Sequence, residues 1–314
     1  MKVGIVGGCK VGKYRAELYS QINHVELVGI VDIQEEEGSM EAYSTLEQLV
    51  EAENPDIIDI CLPTYLQREY VVKAAAFGKH VICQSPMSHS ETDANDMIHA
   101  CQEAGVHLMI SNPLIISPEY SKVKNMIEQN AIGNVGTVRI IKDRNFPKET
   151  EKSGEIILQL VNDIQWLQSL FGNIERVYAK GLNEEALPID VTYMSLRFEN
   201  GVIAHVNGNW LAASGDDRLF LEVAGEKGVI SYHSEEAIPI FASYYENQPV
   251  KEKKYTYSSN PSLEELKYFV NCIESDVPKQ DAFASFNALK CGLAAIKSIK
   301  DNKVITFLDR RTTV

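Results

Sequence analysis

The stretch that most constrains this chain is its first, Met1 to Tyr14, "MKVGIVGGCKVGKY". A short apolar run, "VGIV", meets a glycine-rich turn, and a helical pattern opens near Val11. That order reads as a buried strand entering a βαβ unit. The rhythm recurs as "ELVGIVD", "IIDICL", "HVIC" and "VHLMI", each followed by a helix-period segment, up to about residue 130. Parallel strands need such crossovers, so a parallel sheet is expected. Helix starts are expected at Ser44, with Glu47 three residues on, and at Ser117, followed by Pro118.

After "IGNVG" the texture changes to long alternating segments, "TVRIIKDRNF", "IERVYAKG", "VTYMSLRFENGVIAHVNGNWL" and "LFLEVAGEKGVISY". Glu199-Asn200-Gly201 and Glu226-Lys227-Gly228 are hairpin turn signals. One helix is expected at about 154–171, and two more near 262–274 and 281–300. The expected class is α/β, with a parallel-sheet domain over 1–120. An α+β domain over 121–314 holds a large, mostly antiparallel sheet, and its final helices are free to pack back on the first domain.

Several function classes are disfavoured. The net charge is −14 with no basic block, which argues against nucleic acid, since counterion release needs clustered Lys and Arg. No segment approaches the ~18 apolar residues of a membrane span, and the opening apolar run is too short for a signal peptide. Six cysteines (9, 61, 83, 101, 272 and 291) form no C-x-x-C pair. They read as reduced, mostly buried thiols rather than metal ligands. A cytoplasmic protein with a small-molecule partner, and neither a nucleic-acid nor a membrane partner, is expected.

Gly7, Cys9 and Gly12 occupy the three positions of the dinucleotide fingerprint G-x-G-x-x-G. A strand, tight turn and helix in this order aim backbone N–H groups at a pyrophosphate. The middle glycine normally admits the diphosphate, and the Cys9 side chain would crowd that approach. Asp32 ends "ELVGIVD" about 20 residues further on, where a carboxylate accepts ribose hydroxyls and repels a 2′-phosphate. Ile33 and Gln34 supply no arginine, so NAD is expected and NADP disfavoured.

Read in order, "GIVGGCKVG", Asp32, "ICLPT", "GKHVICQSP", "SPEYSKVKNMIEQNAIGNVGTVR" and "LRFENGVIAHVNGNW" resemble the Gfo/Idh/MocA oxidoreductase family. The resemblance implies a Rossmann domain and a C-terminal substrate and dimerisation domain. It also implies NAD(P)-linked hydride transfer on sugars, cyclitols or related alcohols, and homodimers or higher oligomers through the open sheet face. Its cofactor positions fall on Gly7, Cys9, Lys10, Val11, Gly12, Asp32, Leu62, Pro63, Gln84 and Pro86.

The catalytic set departs from the family. Where Glu-Lys-Pro is usual, this chain has Gln84-Ser85-Pro86, and a serine hydroxyl cannot replace the lysine except as a relay. The family's helix carries Asp, then His four residues on, then Asp three further. In register with "GEIILQLVNDIQWLQSLFG", those positions hold Leu158, Asn162 and Gln165. Gln67 stands where a His is frequent, and Ile115 where an Arg or Gln is.

Replacement acids are sought in Asp163, expected to be solvated or capping, and in Lys142, Asp143 and Arg144, which end a strand. His205 is a further candidate, expected on a sheet face. Tyr193 and Trp210 are counted as core or sheet packing. Three readings follow: an NAD-dependent oxidoreductase with an altered proton-transfer set, a silent dinucleotide- or sugar-binding sensor or partner subunit, and a biliverdin-reductase-like enzyme whose substrate supplies the proton.

Overall fold

The computed structural model describes residues 1–8, 10–31, 42–144, 156–182, 191–210, 217–236, 240–245, 250–255, 260–275 and 282–307. The chain packs as two units, Met1–Ile116 with Asn260–Leu289, and Ser117–Ser259 with Lys290–Val314.

The first unit holds strands β1 (Lys2–Val6), β2 (Glu26–Val31), β3 (Ala42–Tyr43), β4 (Ile57–Ile60), β5 (His80–Gln84) and β6 (Leu108–Ser111). They lie in the order β3-β2-β1-β4-β5-β6, and every pair is parallel. Helices α1 (Lys10–Tyr19), α2 (Leu46–Glu53), α3 (Thr64–Ala76) and α4 (Glu91–Glu103) make the crossovers. Val3, Ile5, Val6, Ile57, Ile58 and Ile60 are fully buried, as central strands covered on both faces must be. The strand order reverses between β1 and β4. That reversal opens a crevice at the carboxyl ends of the strands, where open α/β sheets take their ligands.

The first helix start is displaced by one residue from the expectation. Thr45, not Ser44, caps α2 by accepting from the Gln48 N–H, while Gln48 Oε1 accepts from the Ser44 N–H at 3.1 Å. This resembles a capping box, except that the Gln48 side chain reaches the N–H of Ser44, one residue before the cap. Ser117 caps α5 (Pro118–Glu128) as expected, with Pro118 in the first turn.

The second unit is built on β7 (Val135–Asp143), β8 (Ile174–Leu182), β9 (Val191–Phe198), β10 (Ile203–Asn209), β11 (Arg218–Gly225), β12 (Gly228–His233), β13 (Ile240–Tyr245), β14 (Val250–Tyr255) and β15 (Ile305–Thr306). Their order is β14-β13-β12-β11-β7-β10-β9-β8-β15. The β7–β10 pair is parallel and the others are antiparallel. Burial alternates along β9 and β10, the mark of a sheet with one covered and one open face. Both hairpin signals are turns in the structure. Gly201 has φ +94°, and Gly225 pairs with Gly228 around Glu226-Lys227.

The helix expected over 154–171 is instead two segments, α6 (Ile156–Gln159) and α7 (Val161–Phe171), meeting at Leu160. A Cβ at Gly208 would lie 2.9 Å from Ile156 and 3.1 Å from Leu160. Glycine in β10 therefore lets this corner sit directly on the sheet. The chain closes with α8 (Pro261–Glu274) and α9 (Ala282–Asp301). Within the first unit α8 packs on α1 and on a 3₁₀ turn at Pro113–Ile115.

Candidate active site

At the switch point of the first unit, Gly7 has φ +115°, and a Cβ there would stand 2.5 Å from the Cys61 carbonyl oxygen. A Cβ at Gly12 would lie 1.9 Å from the Gly7 oxygen. Both glycines are therefore required sterically, and together they seat α1 directly on the turn. The opening N–H groups of α1, those of Lys10, Val11 and Gly12, have no intrahelical acceptor. No acidic residue lies in that first turn, and Val11 is 43% exposed. A diphosphate fits this chemistry.

Leu62 packs against the Gly7 position, and Pro63 immediately precedes α3. Leu62 is held in turn by Gln67, whose Nε2 donates to its carbonyl at 3.2 Å and whose Oε1 accepts from Cys83 Sγ at 2.7 Å. Gln67 is buried and committed to this brace, which leaves it no reach toward a ligand. Cys9 and Asp32 lie outside the described residues.

Gln84 ends β5, and its Nε2 is buried with no hydrogen-bond partner among the described residues. A buried donor left unpaired costs free energy, and an acceptor on a bound carboxamide or sugar would satisfy it. The Ser85–Pro86 bond is cis. His89 Nε2 is likewise buried without a hydrogen-bond partner among the described residues, and desolvation lowers its pKa from the usual imidazole value. Sequence reasoning passed over His89, because a lone histidine in a serine-rich stretch carries no motif.

In the second unit the three positions aligned with the family's helix are separated by the break at Leu160, which places Leu158 on α6 and Asn162 and Gln165 on α7. The expectation of a single helix through all three positions is corrected. Leu158 is buried, with Cδ2 3.8 Å from where a Gly292 Cβ would be, so it is packed in the core against α9. Asn162 is half-buried and Gln165 buried.

Asp163 is neither solvated nor capping, which corrects a second expectation. It is fully buried, accepts from Tyr120 Oη at 3.1 Å through Oδ1, and lies 2.6 Å from Lys142 Nζ through Oδ2. Lys142 shares the covered face of the sheet with Val138 and Ile140, and its side chain is 13% exposed.

The other candidates are dispersed. Asp143 accepts from Asn209 Nδ2, and Arg144 pairs with Asp217 at 3.1 Å. His205 is exposed on the open face with Nδ1 2.9 Å from Ser195 Oγ. Tyr193 is 62% exposed on that face, while Trp210 is buried. Among the described residues no group of three His, Cys, Asp or Glu could hold a metal ion, and no helix is long and apolar enough to cross a membrane.

Comparison with known proteins agrees with this architecture. Residues 1–112 match the model of an oxidoreductase family with an NAD-binding Rossmann fold, and residues 120–231 match the Gfo/Idh/MocA C-terminal domain. A myo-inositol 2-dehydrogenase of Thermotoga maritima is 27% identical over 97% of this chain and 98% of its own length. An uncharacterised oxidoreductase of Streptococcus pneumoniae is 30% identical over 73% of this chain and 68% of its own. The fold is also that of the WlbA dehydrogenase from Bordetella pertussis, solved with NADH and UDP-GlcNAcA, at a TM-score of 0.83 and 22% identity over 98% of each chain. The strand–turn–helix at Gly7–Gly12, the sheet order that opens a crevice beside it, and these matches across both units together make the chain a member of the Gfo/Idh/MocA family of nicotinamide-dinucleotide oxidoreductases.

Proposed function

We propose that the protein is an NAD-dependent oxidoreductase acting on a sugar, cyclitol or related alcohol, with Lys142 taking over the proton transfer that the family's usual lysine and histidine perform. The observation that carries the dinucleotide reading is the turn at Gly7–Gly12, whose glycines a Cβ would disrupt and whose helix start bears no carboxylate. The bound dinucleotide supplies the hydride acceptor or donor. The N–H groups of Lys10, Val11 and Gly12 hold its diphosphate, Asp32 accepts the ribose hydroxyls, and Leu62 and Pro63 wall the crevice. Gln84, Ser85 and Pro86 position ligand atoms.

Asp163 orients the Lys142 ammonium through the 2.6 Å contact. Lys142 then gives its proton to a carbonyl oxygen as that oxygen becomes a hydroxyl, and recovers it in the reverse direction. General acid–base help of this kind is worth roughly 10²–10⁴-fold. Lys142→Met should lower turnover by that factor with little change in dinucleotide affinity. Turnover unchanged in Lys142→Met would remove Lys142 from the reaction and leave a substrate-supplied proton, as in a biliverdin-reductase-like enzyme.

Calorimetric titration of NAD against NADP, with wild type and Asp32→Ala, tests the cofactor assignment. Equal affinity for the two cofactors would sink it. A screen of polyols and sugars, read by nicotinamide absorbance, tests for hydride transfer. The burial of Leu158 in the core favours a second reading, a dinucleotide-binding sensor without turnover, and NAD binding with no hydride transfer across the screen would select it.

In the same reading a second copy of the chain covers the open face of the nine-stranded sheet. That face leaves Tyr178, Leu182, Tyr193 and Val229 exposed. Sedimentation of wild type and Tyr193→Asp decides this, and a monomeric wild type would refute it.

A further inference from the structure

The first unit holds a buried cluster of charge apart from the crevice residues. Glu265, on α8, is fully buried. Its Oε1 accepts from the Asn112 backbone N–H at 2.6 Å, and its Oε2 accepts from Ser111 Oγ at 2.5 Å. Arg15, on α1, donates from Nη2 to the same Ser111 Oγ at 2.5 Å and lies 3.9 Å from Glu265 Oε2. Its Nη1 is 3.8 Å from Asp59 Oδ2, which accepts from Tyr19 Oη at 2.9 Å. A single guanidinium thus faces two carboxylates, all three of them buried. With both carboxylates ionised the cluster carries a net negative charge in a medium that tolerates none.

The elements joined here border the proposed cofactor site. Arg15 lies one turn beyond the diphosphate-binding start of α1. Ser111 is the last residue of β6, and Asn112 opens the segment that leaves the carboxyl edge of the sheet. We propose that Glu265 is a positioning residue that locks α1 to the β6 exit, and that proton release from this cluster weakens dinucleotide binding.

This rests on the NAD reading above. Deprotonation places an extra negative charge behind α1, roughly 10 Å from the diphosphate by helix rise and side-chain reach, so the phosphates are repelled. Coulomb repulsion of the two phosphate charges over that distance at an effective dielectric of about 40–80 weakens binding roughly four- to fifteenfold.

The titratable groups facing Glu265 are Arg15 from α1 and Asp59 from β4, and behind them Tyr19 from α1 and Cys61, just past β4, face Arg15 and Asp59. Ser111 and Asn112 do not titrate. Burial pushes the Glu265 carboxyl from its ordinary 4.5 up to about 7, with Arg15 opposing the rise. Burial also raises Asp59, and again Arg15 opposes it. Burial holds the Tyr19 phenol well above its usual value, so it stays neutral across this range. Linkage is reciprocal, so NAD binding must draw a proton into the cluster near pH 7.

The test is isothermal titration of the full-length protein with NAD from pH 6 to pH 8.5, in two buffers of different ionisation heat. Wild type should bind roughly fivefold more weakly at the alkaline end and take up a fraction of a proton near neutrality. Glu265→Gln should bind without pH dependence and take up none. If Glu265→Gln fails to fold, Asp59→Asn serves, because it also balances the guanidinium with a single carboxylate. Wild-type affinity that is flat with pH, or a variant that keeps the wild-type slope and proton uptake, overturns the proposal and leaves the cofactor reading standing. A folded wild type that binds no NAD at any pH overturns both.

Discussion

Replacing Lys142 by Met strips the ammonium from a fully buried carboxylate. Met keeps most of the lysine stem, so packing against the sheet is retained and the charge is what changes. Asp163 would keep the Tyr120 hydroxyl at 3.1 Å and lose the partner at 2.6 Å. Its surroundings are apolar, with the Tyr120 ring edge-on to the buried Trp166 at 4.8 Å. Breaking a buried pair by removing one partner costs about 3–5 kcal/mol. The 13% exposure of Lys142 lets some water reach the site, so about 3 kcal/mol is expected.

Asp163→Asn leaves an ammonium that can lean toward solvent and loses one charge-assisted hydrogen bond, about 2 kcal/mol. The double variant buries no ion and should lose only about 1–2 kcal/mol, giving a coupling of about 3–4 kcal/mol. Equilibrium denaturation of the four proteins, followed through the transition of the second unit, measures the cycle. If Lys142→Met loses under about 1 kcal/mol, or the two effects simply add, the pair is not coupled in the interior and the orientation argument for Lys142 fails with it.

Other perturbations follow from geometry already given. Gly12→Ala drives a Cβ to 1.9 Å from a backbone oxygen. Backbone cannot yield as a side chain can, so a loss of about 3 kcal/mol is expected in denaturation, against about 1 kcal/mol for Gly78→Ala, where φ is +68° and the space is open. Glu265 is raised above its unfolded value, so its contribution to stability is fully present below pH 4.5 and is lost as pH climbs through about 7. The first unit should therefore lose about 3 kcal/mol across that window, and Glu265→Gln should flatten the curve in pH-dependent denaturation. Ser85→Ala should leave turnover within about threefold. A loss of roughly 10²–10⁴-fold in steady-state kinetics would make Ser85 a proton relay.

The strands were legible because their signal is local. "VGIV" and "IIDI" are continuous apolar runs, and β9 alternates with period two, so each shows how its faces are covered before any partner strand is known. The glycine turn was legible for the same reason, since the conformation of Gly7 and the close approach at Gly12 belong to a strand–turn–helix contiguous in sequence. The start of α2 slipped by one residue because Ser44 and Thr45 are adjacent and both competent caps. In the structure it is the Thr45 hydroxyl that accepts from the Gln48 N–H.

What the chain order could not express was pairing across it. Asp163 looked like a polar residue beside a helix stripe, yet its partners come from β7 and α5. Glu265 sits in an ordinary amphipathic helix, and its contacts at Ser111 and Asn112 are more than a hundred and fifty residues away. A carboxylate's environment is set by what surrounds it in three dimensions, and burial inverts the rule that charge means surface. By itself the sequence determined the two sheets and the strand–turn–helix that opens the first of them, because these depend on short-range period and residue identity. The tertiary structure alone decided which of the remaining charges are buried, which of them meet, and hence which can hold a proton where chemistry needs it.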